Sequence, residues 1–324
     1  MSDNFKCRIC ANETNNRPFI ATEMMLGMQD KFTYFQCSKC NCLQIATIPG
    51  NIALYYPEKK YYSYNLSARK DSSQIISFLK RKINRANIFQ KSLLDRTLHI
   101  LFSNRNINFL NGIIKEENVR ILDVGCGDGL KFLYPIYESG FKNILGCDPF
   151  IEKEIIYDNG LSIQKKEMKD VGGEWDIISM NHSFEHIYNP KETLKSAFEM
   201  LVPGGVCIIR IPIASSYAWK HYGTDWFQLD APRHYFLHSI ESMKLLAQQT
   251  NFVIEDIKFD STHHQFTLSE RYKQGKTLEE RTYKTTVGRF VHIFKKLNNS
   301  IKARKLNRNK EGDQAIFYMR KTIA

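Results

Sequence analysis

Paired cysteines near the start of the chain are the first residues whose type and spacing predict chemistry. The pairs are Cys7-x2-Cys10 and Cys37-x2-Cys40. A CxxC turn presents two thiolates to one ion, and two such turns complete the tetrahedral set typical of structural zinc. Because cysteine fills all four positions, no position stays open for catalysis. We therefore predict a structural zinc site; the alternative is four unrelated cysteines.

A glycine-rich turn is the second chemical feature, in the run Ile121-Leu-Asp-Val-Gly-Cys-Gly-Asp-Gly129. Glycines allow a sharp strand-to-helix turn and let a cofactor approach the backbone closely. The dinucleotide fingerprint would place a further glycine at position 130, where this chain has Leu130. Asp123 and Asp128 would repel a pyrophosphate but suit a cation, such as a sulfonium with its amino-acid ammonium. The turn therefore favours S-adenosylmethionine over a nicotinamide dinucleotide.

A carboxylate and three histidines complete the candidate chemistry. Asp148 ends the next predicted strand, where it could accept both ribose hydroxyls of a nucleoside. His182 and His186 follow the strand after it and would share a face if that segment is helical. His234 lies in the later run Asp230-Ala-Pro-Arg-His. An imidazole is the first candidate for a base that removes a proton from an alcohol, and His234 is the leading candidate.

Two alternatives stay open around these histidines. Glu185 and His186 could instead hydrogen-bond the backbone at the floor of a pocket. Arg233 could bind a phosphate or carboxylate of a substrate, with Asp230 orienting His234, or it could anchor the loop to an internal carboxylate.

Strands and helices alternate from residue 119 onwards, and they must position these side chains. The pattern predicts strands at 119–124, 143–147, 176–180, 206–211, 252–259 and 313–320, with helices at 131–139, 190–201 and 239–250. Such alternation is typical of a doubly wound parallel sheet with ligands at the carboxyl ends of the strands. We predict an α/β, Rossmann-like, mostly parallel sheet of seven strands.

Three domains are predicted along the chain. Residues 1–50 would form a zinc ribbon, and residues 51–115 an aromatic linker, including the tyrosine-rich run 54–64, with a basic helical lid at 72–112. Residues 116–324 would form the cofactor domain, with a basic helical insertion at about 270–310 before the last strand. Basic amphipathic helices of this kind can lie on a membrane, although a role as a cover for the cofactor pocket is favoured.

Composition limits the classes of protein that are compatible with the chain. The 324 residues carry a formal net charge of +12, which permits nucleic acid, anionic lipid or phosphorylated substrates as partners. No apolar run approaches the ~20 residues that span a bilayer. No secretory signal is evident either, so we expect a cytoplasmic protein.

The chain resembles the class I S-adenosylmethionine-dependent methyltransferases in four blocks: ILDVGCGDG, LGCDPF, WDIISMNHSFEHI and LVPGGVCIIRIP. The cysteine pairs, YYPEKKYYSY and DWFQLDAPRHYFLHS are similar to zinc-module methyltransferases of bacterial polysaccharide and modified-sugar pathways. Some quinone-biosynthesis methyltransferases of the class carry Glu-x-x-Glu-His and bind a divalent ion where this chain has His182-Ser-Phe-Glu185-His186. The resemblance implies a cofactor site formed by Asp123, Gly125, Cys126, Gly127, Asp148, Pro149, Phe150, Met168 and Asn181.

The resulting expectation is a methyltransferase that acts on a small molecule or sugar, either nucleotide-linked or a glycan precursor. The alternative is an RNA or protein methyltransferase that holds its substrate with the zinc ribbon and the basic helices. Against the alternative, the Asn/Asp-Pro-Pro-Tyr/Phe signature of base-amine methylation is absent after the predicted strand at 176–180, where this chain has Asn181-His-Ser-Phe. A third reading is a non-catalytic scaffold that has kept the fold. Nucleic acid is not an expected partner.

Overall fold

The computed structural model describes residues 5–56, 74–278 and 286–322. The chain divides into two compact units, each assembled from separate stretches. Of the described residues, the first unit contains 5–56, 182–198, 208–278 and 286–322, and the second unit contains 74–181 and 199–207.

The strands are β1 (Arg17–Thr22), β2 (Lys31–Gln36), β3 (Leu43–Ile45), β4 (Ile121–Val124), β5 (Ile144–Cys147), β6 (Ile155–Ile156), β7 (Ser162–Gln164), β8 (Trp175–Asn181), β9 (Leu201–Pro212), β10 (Phe236–Leu237), β11 (Phe252–Phe259) and β12 (Gln314–Lys321). The helices are α1 (Gln74–Phe89), α2 (Leu93–Leu101), α3 (Leu133–Glu138), α4 (Pro190–Met200), α5 (Tyr217–Tyr222), α6 (Ile240–Gln249), α7 (His264–Lys273) and α8 (Thr286–Arg308).

In the second unit, β4 lies between β8 and β5, and all three strands are parallel. Every residue of β4 is buried, as expected for a strand covered on both faces, and apart from Asp123 its residues are apolar. β7 extends this sheet in parallel with β5, and the two-residue β6 closes its edge in the antiparallel direction. The Asp123, Asp148 and Asn181 positions therefore all fall at carboxyl ends of neighbouring strands.

In the first unit, β1, β2 and β3 form an antiparallel sheet that carries the paired cysteines. The sheet is completed by β10, which pairs with β3 although almost two hundred residues separate them in the chain. Consequently the N-terminal segment and the loop that contains His234 belong to the same sheet. The antiparallel pair β11 and β12 is also part of this unit.

The strand order of the larger sheet is β11-β12-β9-β8-β4-β5-β7-β6, so it has eight strands and is mixed. The prediction of seven strands was therefore one short. β6 is only two residues long and β7 only three, and such short strands leave no alternating or continuous apolar pattern to read. The Rossmann-like α/β arrangement itself is present.

Several predicted elements have different bounds in the structure. β9 begins at Leu201 instead of the predicted residue 206, so Pro203-Gly-Gly lies inside the strand, where Gly204 has a φ of 77°. The helical segment before the last strand starts earlier than predicted, with α7 at His264. Of the predicted aromatic segment, residues 57–64 lie outside the described residues, as do 279–285 of the predicted insertion.

Candidate functional site

The glycine turn after β4 has the backbone conformation that allows a ligand to approach the main chain closely. Gly125 and Gly127 both have φ in the left-handed region, at 69° and 56°. The Gly125 amide donates to the Cys147 carbonyl at 2.8 Å, which fixes the turn against the end of β5. The Cys126 thiol points back toward Gly146, where it lies 2.6 Å from the position that a Cβ would occupy. The backbone of the turn, rather than the Cys126 side chain, is thus available to a cofactor.

Asp123 is a buried carboxylate at the base of this turn. Its Oδ1 accepts hydrogen bonds from Ser179 Oγ at 2.6 Å and from Asn181 Nδ2 at 3.2 Å. Burial raises the pKa of Asp123 to about 7, against the lowering effect of these two donors. A carboxyl group that titrates near neutrality gains from a cation placed beside it, because the cation favours the ionised form.

Asp148 caps the same turn from the end of β5. Its Oδ2 accepts from the Gly127 amide at 2.9 Å, and its Oδ1 accepts from the Phe150 amide at 2.8 Å. A carboxylate oxygen can accept more than one hydrogen bond, so further donors such as ribose hydroxyls can be accommodated. Among the remaining predicted cofactor residues, Pro149 is half-buried, Met168 is buried, and Phe150 is 77% exposed.

The histidines form a cluster around Glu185 in the first unit. Residues Phe184–His186 make a single 3-10 turn, and His182 precedes it with a φ of 52°, so the predicted helical face shared by His182 and His186 does not exist. Glu185 is fully buried, and neither carboxylate oxygen has a hydrogen-bond partner among the described residues. The nearest imidazole nitrogens are His182 Nδ1 at 3.5 Å and His234 Nε2 at 3.9 Å.

Backbone carbonyls fix the orientation of two imidazoles in this cluster. His186 Nδ1 lies 2.8 Å from the Arg233 carbonyl, and His234 Nδ1 lies 2.8 Å from the Gln228 carbonyl. A carbonyl only accepts, so each Nδ1 carries a hydrogen; in the neutral form of the ring, Nε2 then keeps its lone pair. Of the two alternatives for His186, the structure favours the one with a backbone hydrogen bond, but this bond leaves Nε2 free for chemistry.

Burial determines the charge of the cluster. It lowers the pKa of His234 to about 4, with a further contribution from His186, so His234 is neutral at pH 7. Burial alone would raise the pKa of Glu185, but the surrounding imidazoles hold it below its usual range. An ionised Glu185 carboxylate therefore lies beside the neutral imidazole of His234, and it accepts no hydrogen bond from the described residues. Such a group attracts a cation, whether a proton or a metal ion. Ligand atoms of Glu185, His186 and His234 all lie within 4.8 Å of one another.

Arg233 is an internal anchor of the His234 loop. It is completely buried and pairs with Asp230, to which its Nε donates at 3.0 Å, and with Glu23 at 3.2 Å. Its Nη1 donates to the Tyr55 carbonyl at 3.3 Å. The structure thus favours the internal carboxylate over a substrate phosphate as the partner of Arg233.

Residues of the N-terminal segment complete the histidine cluster, and sequence reasoning missed them. Tyr34 donates its hydroxyl to the His234 carbonyl at 2.8 Å, and the Tyr56 hydroxyl lies 3.2 Å from His186 Nδ1. Glu23 also accepts from the amides of Leu26 and Met28. Tyr56 lies in the tyrosine-rich run 54–64, but no local pattern links it, Tyr34 or Glu23 to the histidine cluster, because the contacts concerned join residues 130 to 210 positions apart.

The four predicted metal-binding cysteines converge in the first unit. The Sγ atoms of Cys7 and Cys40 are 3.6 Å apart, and those of Cys10 and Cys37 are 3.5 Å apart. These separations are close to the ~3.8 Å expected between thiolates at ~2.3 Å from one tetrahedral zinc ion. Gln44 Nε2 donates to Cys7 Sγ at 3.1 Å, as an outer-shell group does for a metal-bound thiolate. Cys42 is buried but does not belong to the cluster.

Among the described residues, no helix is both long and apolar enough to cross a membrane. Curated proteins with detectable similarity include the mitochondrial ubiquinone biosynthesis O-methyltransferase of Saccharomyces cerevisiae, 28% identical over 28% of this chain and 32% of that protein. The ubiquinone biosynthesis O-methyltransferase of Caulobacter sp. is 30% identical over 31% of this chain and 43% of that protein. The match therefore spans less than half the length of these two relatives. That of Pseudomonas fluorescens is 23% identical over 47% of this chain and 72% of its own.

Solved structures with a similar fold include an S-adenosylmethionine-dependent methyltransferase from Mesorhizobium loti, 15% identical, with a TM-score of 0.41 over 64% of this chain and 94% of its own. Another comes from Archaeoglobus fulgidus, 19% identical, with a TM-score of 0.39 over 63% of this chain and 86% of its own. The family model described as a methyltransferase domain matches residues 87–257, which is more than half of the chain. The protein therefore belongs to the methyltransferase-domain family, which confirms the enzyme class predicted from its sequence motifs.

Proposed function

We propose that the protein transfers a methyl group from S-adenosylmethionine to a hydroxyl group of a small-molecule acceptor. The observation that carries this proposal is the cluster of Glu185, His186 and His234, which places two imidazole rings beside a buried carboxylate that accepts no hydrogen bond from the described residues. The cluster follows the cofactor strand directly in the chain, since His182 is the residue after the last residue of β8. Similarity to curated O-methyltransferases supports oxygen as the accepting atom.

The cofactor would lie on the glycine turn. S-adenosylmethionine supplies an electrophilic methyl group on a positively charged sulfur. Asp123 would provide the negative charge that favours this cation and its ammonium group, and the Gly125 and Gly127 backbone would allow close approach. Asp148 would accept the ribose hydroxyls, while Pro149, Phe150, Met168 and Asn181 would line the rest of the site.

The histidine cluster would remove the proton of the acceptor. Transfer of the methyl group from sulfur to the acceptor oxygen would leave a neutral thioether and would require loss of the hydroxyl proton, which an imidazole Nε2 of the cluster would accept. His234 is our leading base because its Nε2 is unprotonated at pH 7. Glu185, at 3.9 Å, would stabilise the imidazolium that forms. His186, and after it His182, are the alternative bases.

A divalent cation is a second way in which the same cluster could activate a hydroxyl. Two imidazole Nε2 atoms and a carboxylate are common ligands of first-row divalent metals, and the carbonyl-bound Nδ1 atoms match the usual outer-shell arrangement. Glu185 accepts no hydrogen bond from the part of the chain that the structure describes, and this favours the metal-bound form specifically. In it, a metal-bound hydroxyl would lose its proton more readily, and no histidine would serve as the base.

The acceptor we propose is a sugar, either nucleotide-linked or part of a glycan precursor. The net charge of +12 suits a substrate that carries phosphate. The alternative acceptor is RNA or a protein. It is less favoured because side chains of the N-terminal segment that carries the cysteine pairs, including those of Tyr34 and Glu23, contact the His234 loop. We also propose that Cys7, Cys10, Cys37 and Cys40 bind one structural Zn²⁺ ion.

The experiment that tests the proposal combines calorimetry with a product assay. S-adenosylmethionine should bind to the wild-type protein, and Asp148→Ala should lose this binding while it stays folded. Acceptor panels of nucleotide-sugars and catechols are then screened by mass spectrometry for the addition of a methyl group. Absence of cofactor binding by the wild-type protein would make the scaffold reading the leading one.

Variants of the cluster distinguish its two forms. If His234 is the base, His234→Gln loses turnover at unchanged cofactor affinity, and chelators have no effect. If a metal ion acts, chelation abolishes turnover and added Mg²⁺, Mn²⁺ or Zn²⁺ restores it. Salt-sensitive binding of RNA without turnover on small acceptors would support the macromolecular alternative.

A further inference from the structure

The hairpin formed by α1 and α2 exposes an unusual amount of apolar surface. Nine large apolar side chains of residues 74–102 are exposed: Ile75, Ile76, Phe78, Leu79, Leu93, Leu94, Ile100, Leu101 and Phe102. Single exposed apolar residues are common, but nine on one helical hairpin indicate an interaction surface. We call this group the hairpin patch.

On α2, four members of the hairpin patch lie on one face. Leu93, Leu94, Ile100 and Leu101 are spaced i, i+1, i+7 and i+8, which places them on one side of a helix. Their exposed fractions run from 62% to 81%, and no residue of α2 is buried. α2 is nevertheless a well-formed helix, because Ser92 and Asp95 cap its first turn reciprocally.

Basic residues surround the hairpin patch. Residues 74–102 contain six Lys or Arg residues and a single acidic residue, Asp95. A second copy of this face would therefore meet it with strong like-charge repulsion, which argues against a homodimer through the patch. Nucleic acid suits the charge but not the branched aliphatic side chains, because bases stack on aromatic rings.

The first unit shows the same combination independently, on α8. Ile293, Phe294, Leu297 and Ile301 are exposed and lie on one face, opposite the buried Ala303 and Leu306. Residues 293–310 contain seven Lys or Arg residues and no acidic residue. We call these four apolar residues the α8 patch.

We propose that the protein binds peripherally to anionic lipid bilayers through the hairpin patch and the α8 patch. Helices of this composition lie in the plane of a bilayer, with aliphatic side chains among the acyl chains and Lys and Arg side chains at the headgroups. Both parts of the interaction have a counterpart in such a surface: hydrocarbon for the leucines and isoleucines, and phosphate for the cations.

The test is co-sedimentation of the full-length protein with vesicles. We expect binding to vesicles of phosphatidylcholine mixed with phosphatidylglycerol, little binding to pure phosphatidylcholine, and weaker binding at high salt. Leu93→Ser/Leu101→Ser and Phe294→Ser/Leu297→Ser should each lower the affinity about tenfold or more, since each removes two inserted side chains. Lys80→Gln/Lys82→Gln should lower binding to the anionic vesicles specifically.

Ile156→Ser is the matched control, because Ile156 is 76% exposed but lies on β6, outside both patches. All substituted apolar side chains are more than half exposed, so the variants should fold, and circular dichroism verifies this. The proposal is overturned if the wild-type protein ignores anionic vesicles, or if neither patch variant binds more weakly than Ile156→Ser. It is equally overturned if light scattering shows a dimer that Leu93→Ser/Leu101→Ser dissociates, since the hairpin patch would then join two copies.

Discussion

Replacement of Arg233 by methionine tests how the His234 loop is held. The arginine is completely buried, and its guanidinium contacts Asp230, Glu23 and the Tyr55 carbonyl. Arg233→Met keeps most of the side-chain volume but leaves two largely buried carboxylates without their cation. Burial is the largest single effect on the pKa of Asp230 and raises it. The Arg233 guanidinium, together with His234 and His186, nevertheless holds this pKa below its usual value, so the substitution removes the main support of the ionised form.

The magnitude follows from what each carboxylate retains. Removal of one partner of a buried ion pair typically costs about 3–5 kcal/mol. Glu23 keeps the Leu26 and Met28 amides, at 2.8 and 3.0 Å, so its ionised form stays partly stabilised. Asp230 loses its principal partner. We therefore expect the free energy of unfolding to fall by about 3 kcal/mol, at the lower end of that range.

Urea unfolding at pH 7 measures this loss, and Lys195→Met is the matched control. Lys195 pairs with Glu192 at 3.0 Å, with the same i,i+3 spacing as Asp230 and Arg233. Both members of the Lys195–Glu192 pair, however, are exposed. Exposed pairs contribute about 0–1 kcal/mol, so the control should unfold almost like the wild type. Arg233→Met/Glu23→Gln should recover part of the loss, because it removes one uncompensated carboxylate.

A loss below about 1 kcal/mol for Arg233→Met, equal to that of Lys195→Met, would refute the reasoning. It would mean that water or protonation relieves the carboxylates at little cost. If Arg233→Met/Glu23→Gln recovers none of the lost free energy of unfolding, then lost packing, not charge, causes the destabilisation.

Three further predictions concern the candidate sites. Because the pKa of Asp123 is raised to about 7, binding of a sulfonium cation at pH 7 should release roughly half a proton, visible as buffer-dependent binding enthalpy that Asp123→Asn abolishes. His234 stays neutral in the folded protein down to about pH 4 but protonates near 6.5 when unfolded, so stability should fall as the pH is lowered through this window. His234→Gln should remove part of that slope, and the rest should persist because burial lowers the pKa of His238 to about 3. Cys37→Ser should lose stoichiometric zinc in elemental analysis, whereas Cys42→Ser, outside the cluster, should keep it.

Local sequence patterns were sufficient to predict every strand of the larger sheet except β6 and β7. β4 and β5 are short apolar runs bounded by glycine and charged residues, and β11 was predicted with its observed bounds. The glycine turn and Asp148 could also be picked out from the sequence as candidate cofactor residues, because their chemistry depends on neighbours in the chain. β6 and β7 were missed because two or three residues carry no periodicity.

The environment of the histidines could not be predicted from local patterns. The sequence identified His182, His186 and His234 by residue type, but not that Glu185 would lie among them without a hydrogen bond. The contacts that hold the cluster are made across distances of up to 210 residues, and they form only when β3 pairs with β10. Such contacts depend on the packing of the whole unit, which a single sequence does not display.

The same contacts bear on what the cysteine segment does. β3 pairs with β10 immediately after the His234 loop, and the Ile45 amide donates to the Tyr235 carbonyl at 3.0 Å. Arg8, within the first CxxC pair, donates to the Ile45 carbonyl at 2.7 Å. A metal ion that fixes Cys7 and Cys10 would therefore also fix Arg8, and through β3 the backbone next to His234. If so, zinc removal should impair turnover while the glycine turn still binds the cofactor, and a segment that served only to capture a macromolecule would not show this split.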